Sequence, residues 1–573
     1  DQKLHGEGFQ RFMEATTADE ASGNEATISS WLSLVKQQIL PKLLEDELIS
    51  YREAMSYEPP VNSFEWTGDV AITDDTLQAG KKKFVCLSND ELLHNVDIDE
   101  TRSTKKITFR MPPDTTYQSG DHLAIQPMNS DAKVKAFIKL FEAHLVDTKN
   151  PLINDTSLEE ELEYMSKRLF NLKCVEDEES SPSDVFFSTP TTIWTVLQKH
   201  VDLSMNRRIL TDLLALMKRF LDEFYESVES QHRDIVGRHP MVEEFYDLVE
   251  VHLGMNAQKD ATTGAVDDLI AQFPSVVGFL THYKNLFLDD FVGELLGHEA
   301  EGAGKPLLPL AEVLVILPRL QSRYYSISSS NKANSNEVSI SVGVLTDKTS
   351  KGVEIQGVCS HYLSNLKPHQ YAQGSIGVSS FRLPPKLESP LLMVGAGTGL
   401  APMMGFLKDR EIDRKGTMGD IHLFFGCRTP DDFIYRDTIN GYEDDGMLKL
   451  HLAISRPIDG QKKYVQHRLK EMGRELCDVL QHPDTHYYVC GDARMADACH
   501  NACVDILREH GPMSRVWAVQ HLKKMRMEGR WQSDVWGILS HFEEAKKSIE
   551  KKRKSSARLW LKKLKGVGDV EAD

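Results

Sequence analysis

Apolar side chains recur along the chain at two different spacings. Over 28–43 they follow a helical period, which predicts an amphipathic helix near the start. A loop then leads to Phe84, where the pattern becomes strand-like, and 107–111 alternates as a half-buried strand does. From about 130 to 300 a helical period returns, clearest over 209–224, and predicts a mainly helical region.

Strands return between Arg323 and about Arg382, and beyond Pro390 strands and helices alternate. The strands of this last region are short apolar runs at 391–394, 421–425, 448–454 and 486–489. Strands separated by helices favour a doubly wound parallel sheet. The final stretch, about 540–573, is basic and predicts either an amphipathic helix or a disordered tail.

Length and composition narrow the class of protein. A chain of 573 residues is too long for one core and predicts several domains. Its 40% apolar and 27% charged residues are typical of a soluble protein, and no apolar run approaches the roughly 20 residues that span a bilayer. The chain begins Asp1-Gln2-Lys3 without an initiator Met or leader, so we expect a fragment or processed chain, with any membrane anchor upstream.

Net charge and cysteine content restrict the kinds of partner and metal site that the chain can have. A formal net charge of −19 argues against nucleic acid, because nucleic-acid binding requires a basic surface. An acidic surface suits a basic partner, or serves solubility alone. The eight cysteines lack the spacing of a zinc site, so we predict no metal and expect reduced thiols in an intracellular protein.

A glycine-rich segment joins the strand at 391–394 to a helix. Gly397, Thr398 and Gly399 lie in it, and their small size lets the backbone approach a pyrophosphate and direct N–H groups at it. A tight turn at a sheet edge is the alternative. The matching elements that follow favour a dinucleotide site, although the glycine spacing differs from that of common NAD dehydrogenases.

A polar and basic cluster follows a later strand of the same region. It contains Ser455, Arg456, Lys462, Lys463, Tyr464 and Gln466. Hydroxyl, guanidinium and ammonium groups at one place suit a phosphate dianion, whereas an NAD site places a carboxylate near the ribose. We therefore predict NADPH rather than NADH, the alternative being a solvated basic loop.

The stretch from Arg323 to Ser326 carries a cation, two aromatic rings and a hydroxyl on one strand. Arg323 suits a pyrophosphate, Tyr325 a flat ring and Ser326 a flavin nitrogen. Taken alone, the stretch also fits an exposed polar strand. A second turn, Gly-Val-Cys-Ser at 357–360, precedes a predicted helix start, which is an arrangement that holds anions.

Together these motifs resemble those of the diflavin reductases, the family of NADPH–cytochrome P450 reductases and nitric oxide synthase reductase modules. The likeness covers roughly residues 80–540, with the motifs in the right order. It rests on the segments at 117–127, 318–327, 357–360, 395–402, 425–428, 455–456, 462–466 and 488–492.

The resemblance implies a multi-domain fold. An antiparallel β-barrel FAD domain would occupy 80–388, interrupted by an α-helical connecting insert at about 135–305. An α/β doubly wound, ferredoxin–NADP reductase-like NADPH-binding domain would follow at 389–540. Residues 1–60 would be the remnant of a flavodoxin-like FMN domain with its linker, and 541–573 a basic tail. We expect FMN only in an upstream domain absent from this chain.

The resemblance also implies roles for individual residues. Ser326, Cys490 and Asp534 match the polar group around the nicotinamide and flavin N5, and Trp536 matches the aromatic residue that covers the flavin until nicotinamide displaces it. The residues implied for FAD are Arg323, Tyr324, Tyr325, Ser326, Gly357, Val358, Cys359, Ser360 and Trp536. Those implied for NADPH are Gly397, Thr398, Gly399, Arg428, Ser455, Arg456, Lys462, Tyr464, Gln466 and Asp492.

The sequence departs from the family pattern in two places. The strand near Phe84 lacks the Arg that some relatives direct at NADPH. The chain also continues for 37 residues beyond Trp536, where P450 reductases end, as tails do in nitric oxide synthases. This basic tail suits a membrane surface or a calmodulin-like contact, or it is a solvated end.

The expected function is an NADPH-dependent flavoprotein reductase of the NADPH–haemoprotein reductase type. Hydride would pass from NADPH to FAD, and electrons would then pass through FMN to a haem protein. The alternatives are the reductase half of a nitric oxide synthase-like enzyme and a flavin-free scaffolding protein. We expect a cytoplasmic location, or membrane association through a missing N-terminal segment.

Overall fold

The computed structural model describes residues 62–70, 80–94, 102–145, 158–174, 191–227, 233, 236–237, 239–253, 259–287, 308–414, 418–457 and 460–536. The helix predicted over 28–43 and the tail predicted from 541 lie outside these residues. None of the helices in these ranges is long and apolar enough to cross a bilayer.

In chain order the strands are β1 (Asn62–Val70), β2 (Lys82–Glu91), β3 (Ser103–Arg110), β4 (His122–Gln126), β5 (Arg168–Cys174), β6 (Thr191–Thr192), β7 (Arg323–Ser326), β8 (Glu337–Val344), β9 (Thr346–Lys348), β10 (Glu354–Gln356), β11 (Tyr371–Gly377), β12 (Leu391–Ala396), β13 (Ile421–Cys427), β14 (Lys449–Ile454), β15 (His486–Asp492) and β16 (Trp531–Trp536).

The helices are α1 (Asp131–Leu140), α2 (Glu142–Leu145), α3 (Leu158–Ser166), α4 (Ile193–Thr195), α5 (Arg207–Ser227), α6 (Pro240–Leu253), α7 (Lys259–Gln272), α8 (Val276–His282), α9 (Lys284–Phe287), α10 (Leu310–Ile316), α11 (Val358–Ser364), α12 (Ala401–Asp413), α13 (Arg436–Asp444), α14 (Val465–Glu471), α15 (Gly473–Gln481), α16 (Ala493–Glu509) and α17 (Arg515–Met527). A π-helical turn (Val196–His200) and two 3-10 turns (Gly397–Leu400 and Pro430–Asp432) supplement them.

The first large sheet is antiparallel and has the strand order β7-β4-β11-β2-β3-β8. A bridge from Ile327, directly after β7, to Ile340, within β8, links its two edge strands. Alternate residues along the strands, among them Phe84, Ile107 and Ile125, are fully buried in one cluster. This period-two pattern is the one that predicted strands here.

A helical region follows β4, as the 3.6-residue period predicted. Its largest helix, α5, buries one apolar side in a core that also includes residues of α1, α6, α8 and α10.

The region also contains a small sheet that was not predicted from the sequence: β5 and β6 pair with β1 in three strands. β1 was assigned to a loop, yet Phe64, Trp66 and Val70 alternate with polar residues as a strand requires.

The second large sheet is parallel, with the strand order β14-β13-β12-β15-β16. Along β12, Leu391 and Met393 belong to one buried cluster while Leu392 and Val394 belong to another. Both faces of the sheet are therefore covered by helices, as the alternation of strands and helices predicted.

Polar contacts join the two large sheets and fix their relative placement. The Tyr435 hydroxyl lies 2.8 Å from the Ser341 hydroxyl and donates to the Ser328 hydroxyl at 3.3 Å. Arg102 donates to Asp432 at 2.8 Å. The carboxyl ends of the parallel strands consequently face the edge of the antiparallel sheet that ends in β7.

Candidate functional site

Four side chains meet where the two large sheets come together, and the carboxylate of Asp534 is at their centre. The Ser326 hydroxyl donates to Asp534 Oδ2 at 2.7 Å, and His122 Nε2 lies 3.1 Å from the same oxygen. The Cys490 thiol approaches it to 3.8 Å. Three of these residues were predicted from the sequence, and His122 was not.

Strand register explains this convergence. His122 pairs directly with Ser326 across β4 and β7, so their side chains lie on the same face of the antiparallel sheet. Cys490 pairs with Asp534 across β15 and β16. Each sheet therefore contributes one matched pair, and the two pairs meet at the junction between the sheets.

The carboxylate of Asp534 is held in its charged form. Burial alone would raise its pKa, but hydrogen bonds from His122 and Ser326 and the charge of His122 outweigh burial and keep that pKa below its usual value. Burial would conversely lower the pKa of His122, and Asp534 raises it above its usual value. Burial, followed by the charge of Asp534, raises the pKa of the Cys490 thiol far enough to keep it protonated.

Aromatic residues border this cluster. Trp536 ends β16 two residues beyond Asp534 and is 46% exposed. Tyr325 precedes Ser326 and is partly buried, and burial, followed by the neighbouring Cys359, raises the pKa of its hydroxyl well above the usual value. Tyr324, also predicted to contact FAD, is 60% exposed on the other face of the strand. Partly exposed aromatic side chains this close to the cluster suit contact with a flat ring system.

Burial raises the pKa of the Cys359 thiol, in the turn at 357–360, to about 12, and the charge of Arg323 acts in the opposite direction. Arg323 is half-exposed and lies 4.0 Å from Asp202. Ser360 donates from its hydroxyl to the Gly357 carbonyl at 3.2 Å and accepts from Leu345 N at 3.1 Å. A Cβ on Gly357 would lie 2.6 Å from Ser360 Oγ, so this tight turn requires glycine.

A cleft of about 630 Å³ opens beside this turn, between the antiparallel sheet and the helical region. Gly357 and Val358 line it, together with the cationic side chains of Lys133 and Lys199 and with His361. Exposed backbone and nearby cations fit a phosphate-bearing group, although Arg323, Cys359 and Ser360 are not among the residues that line the cleft.

A second cleft, of about 750 Å³, lies at the carboxyl ends of the parallel strands. Six residues predicted for NADPH line it: Gly397, Arg428, Ser455, Tyr464, Gln466 and Asp492. Asp492 also caps α16, where its side chain accepts from Arg494 N at 2.9 Å. The structure thus brings together most of the loop residues that the sequence separated by up to 95 positions.

Four residues predicted for NADPH do not line this cleft. Arg456 is exposed beyond its rim, and the Lys462 ammonium lies 4.9 Å from the centroid of the Tyr464 ring. The γ-methyl of Thr398 points toward Gly343 of the antiparallel sheet. Gly399 is packed against β15, where a Cβ would lie only 2.1 Å from the Cys490 carbonyl oxygen.

Three further cations line the cleft, namely Arg102, Lys463 and Arg494. Of these, only Lys463 belongs to a segment that the sequence singled out, 462–466. Arg102 immediately precedes β3, the strand that pairs with β2. Lys463 bonds Glu471 at 2.7 Å, and Arg494 is 88% exposed beside Asp492. Nothing in the local pattern marked Arg102, because only the pairing of the two sheets brings it here.

Comparisons with known proteins agree with these two sites. Residues 393–501 match the oxidoreductase NAD-binding domain family, and 301–362 match the FAD-binding domain family. The chain is 41% identical over 236 residues to the NADPH–cytochrome P450 reductase of Drosophila melanogaster, covering 40% of this chain and 35% of that protein.

Longer matches extend over most of the chain. The NADPH–cytochrome P450 reductase of Bos taurus is 29% identical over 530 residues, covering 90% of this chain and 66% of that protein. The NADPH–cytochrome P450 reductase of Musca domestica is 32% identical over 431 residues, which cover 73% of this chain and 54% of that protein. The chain thus spans from about a third to just under two thirds of the length of these relatives.

Fold and matches together define the class of protein: a chain with FAD-binding and NAD-binding domains of the ferredoxin–NADP reductase-like type. Within that class the chain is similar over most of its length to NADPH–cytochrome P450 reductases, as the predicted resemblance to the diflavin reductases implies. The predicted resemblance is confirmed, and the nitric oxide synthase alternative is not favoured.

Proposed function

We propose that this chain is the FAD- and NADPH-binding part of an NADPH-dependent flavoprotein reductase. The observation that carries the proposal is the cluster of Ser326, Cys490 and Asp534 at the junction between the FAD-binding and NAD-binding regions. Hydride transfer requires two rings in contact, and this junction is where groups held by the two regions meet.

FAD supplies the hydride acceptor and, once reduced, single electrons for onward transfer. The protein's own contribution is electrostatic and positional. The charged carboxylate of Asp534 favours the positive charge that develops on an oxidising nicotinamide. Ser326 and Cys490 donate toward that carboxylate, and so hold it and the reacting atoms in place.

The FAD-binding residues proposed are those predicted from sequence. Tyr325 and Trp536 would lie on opposite faces of the flavin ring, with Tyr324 and Val358 beside them. Arg323 and the N–H groups of 357–360 would hold the pyrophosphate, since that turn exposes backbone next to a cation. If the Trp536 indole moved away, nicotinamide could reach the flavin ring. The indole is half-exposed, so few contacts oppose this movement.

For NADPH, we propose that Ser455, Tyr464 and Gln466 hold the 2′-phosphate together with Lys463. Arg428 and Arg102 lie in the same cleft and would balance the remaining phosphate charge. Gly397 and its neighbours Thr398 and Gly399 would shape the pyrophosphate turn, with Arg456 and Lys462 acting at the rim. Asp492 would orient the site through its cap on α16.

We propose the larger organisation on the same basis. The antiparallel sheet at 80–388 is a barrel with a helical connecting insert at about 135–305, and 389–540 is the NADPH-binding domain. Residues 1–60 belong to an FMN domain and linker, and 541–573 form a tail. Because the homologues are named for cytochrome P450, we propose a haem protein as the final electron acceptor, reached through FMN.

The test is an absorbance scan of the purified chain, followed by reduction of ferricyanide with NADPH or NADH. We expect a flavin spectrum that FAD alone reconstitutes, and NADPH to be preferred strongly over NADH. A colourless protein after incubation with excess FAD would contradict the proposal. Equal rates with both donors would contradict only the phosphate pocket.

A further inference from the structure

Helix α17 carries an unusual concentration of exposed apolar side chains. Val516 and Trp517 are each 70% exposed, Met527 is 80% exposed and Val519 is 39% exposed. These are four of the eleven large apolar side chains exposed in the described chain. We call this outer side of the helix the α17 face. Large apolar groups gathered on one exposed surface indicate a contact with another surface.

The opposite side of α17 explains why the helix is held in this orientation. Ala518, Leu522 and Met525 are buried in the core of the parallel-sheet region. They follow one another at helical spacing, so the remaining residues must point outward. The α17 face is therefore fixed by the packing of the domain, with the Ser514 hydroxyl accepting from Trp517 N at the helix start.

The α17 face is also positively charged. The helix contains four cations, Arg515, Lys523, Lys524 and Arg526, and no Asp or Glu, in a chain whose formal net charge is −19. Two of them form ion pairs at the edge of contact distance, since Arg515 lies 3.9 Å from Asp505 and Lys524 lies 3.8 Å from Glu528. Exposed pairs of this kind leave most of the positive field intact.

We propose that the α17 face docks on an anionic lipid bilayer. A single helix presents a convex surface without a pocket, which suits a fluid plane better than a shaped protein groove. Trp is favoured at the lipid headgroup level, and Lys and Arg are attracted by anionic headgroups. Lys is depleted at protein interfaces, which argues against an acidic protein as the partner.

The ten Lys and Arg residues between Lys546 and Lys565 follow in the same chain and would add to this attraction. A test must therefore separate the helix from the tail. Substitutions in α17 leave the tail sequence intact, and every substituted side chain is exposed, so the fold should be retained. α17 lies outside both proposed nucleotide sites, so ferricyanide reduction by NADPH in solution should also be unchanged.

The experiment is co-sedimentation of the full chain with vesicles of phosphatidylcholine, with and without phosphatidylserine. We expect binding only with phosphatidylserine. Each basic residue near such a surface contributes about 1 kcal/mol, so Lys523→Glu with Lys524→Glu should weaken binding at least tenfold. Trp517→Ser with Val516→Ser should weaken binding several-fold. This loss should depend less on salt concentration than the loss caused by the two lysine substitutions.

The matched control reverses two exposed lysines elsewhere, Lys139→Glu with Lys367→Glu, which changes the net charge equally. This control should bind vesicles within about twofold of the parent. Salt screens charges beyond about 10 Å, so lysines outside the α17 face should contribute little to binding. Equal binding by the parent and both α17 variants would assign attachment to the tail and overturn the proposal. Absence of binding to phosphatidylserine vesicles would overturn it as well, and would favour an acidic protein instead.

Discussion

The carboxylate of Asp534 accepts from groups on β4, β7 and β15, so its position depends on both large sheets at once. Replacing it with Asn keeps the shape of the side chain and removes the charge. We expect Asp534→Asn to lower kcat for NADPH-driven ferricyanide reduction by roughly 10²-fold, the usual effect of losing one preorganised electrostatic group.

FAD content, read from the absorbance spectrum, should not change in this variant. Asp484→Asn is the control, because Asp484 is an exposed carboxylate paired with Lys386 on the surface. A loss of less than threefold in Asp534→Asn would remove this carboxylate from the proposed chemistry.

His122 gives the site a pH dependence of known sign. Its pKa is raised in the folded protein, so the stabilisation from its contact with Asp534 is fully present below pH ~6.5 and is lost as pH rises through the raised value. We expect His122→Gln to lower the thermal unfolding midpoint more at pH 6 than at pH 9. Circular dichroism at the two pH values measures this difference.

Ser326→Ala is the matched control for His122→Gln. It removes a different hydrogen bond to Asp534 Oδ2 and no titratable group, so its effect on the midpoint should be the same at both pH values. If His122→Gln lowered the unfolding midpoint by the same amount at both pH values, His122 would not be charged in the folded protein.

At the scale of elements, we propose that the loop after β14 sets the preference for NADPH over NADH. Ser455 and Lys463 lie in the cleft at its two ends. We expect Ser455→Ala with Lys463→Ala to raise KM for NADPH by roughly 10²-fold, because charge-assisted hydrogen bonds contribute about 1.5–3 kcal/mol. KM for NADH should change little. Parallel shifts for both donors would mean that the loop does not contact the 2′-phosphate.

The turn between β12 and α12 offers a prediction about close packing. Gly399→Ala would place a Cβ 2.1 Å from the Cys490 carbonyl, so we expect it to displace Cys490 and to reduce both stability and NADPH-dependent activity. Gly397→Ala is the control: φ is +54° there but a Cβ meets nothing within 4 Å, so only a modest strain should result. Equal thermal midpoints for the two variants would contradict this.

Elements with a clear period were predictable, and contacts between elements were not. Four of the five parallel strands and α5 were predicted because their apolar residues form regular patterns, whereas β16 was not predicted. β1 carried a readable alternation at Phe64, Trp66 and Val70 but was passed over beside a proline-rich loop. His122 and Arg102 carried no local signal, because each gains its neighbours from strand pairing or from contact between sheets distant in sequence.

At the scale of the whole molecule, Arg382 connects the two halves of the site. Its guanidinium forms an ion pair with Asp121 of the antiparallel-sheet region, whose side chain is only 4% exposed. Its backbone N donates to Gln532 at 2.7 Å, and its carbonyl accepts from the Tyr488 hydroxyl at 2.7 Å. One residue in the connection between the sheets thus bonds to both sides of the junction that holds Ser326 and Asp534.

We therefore expect Arg382→Ala to separate catalysis from nucleotide binding. It leaves the buried Asp121 carboxylate without its cation, and breaking a buried pair in this way costs about 3 kcal/mol or more. FAD content and the dissociation constant for NADP⁺ should change by less than threefold, whereas the rate of flavin reduction by NADPH in stopped flow should fall at least tenfold. Arg382→Lys keeps the charge and should recover part of that rate. If flavin reduction stayed at the parental rate in Arg382→Ala, the relative placement of the two regions would not depend on this connection, and contacts such as that between Tyr435 and Ser341 would have to maintain it.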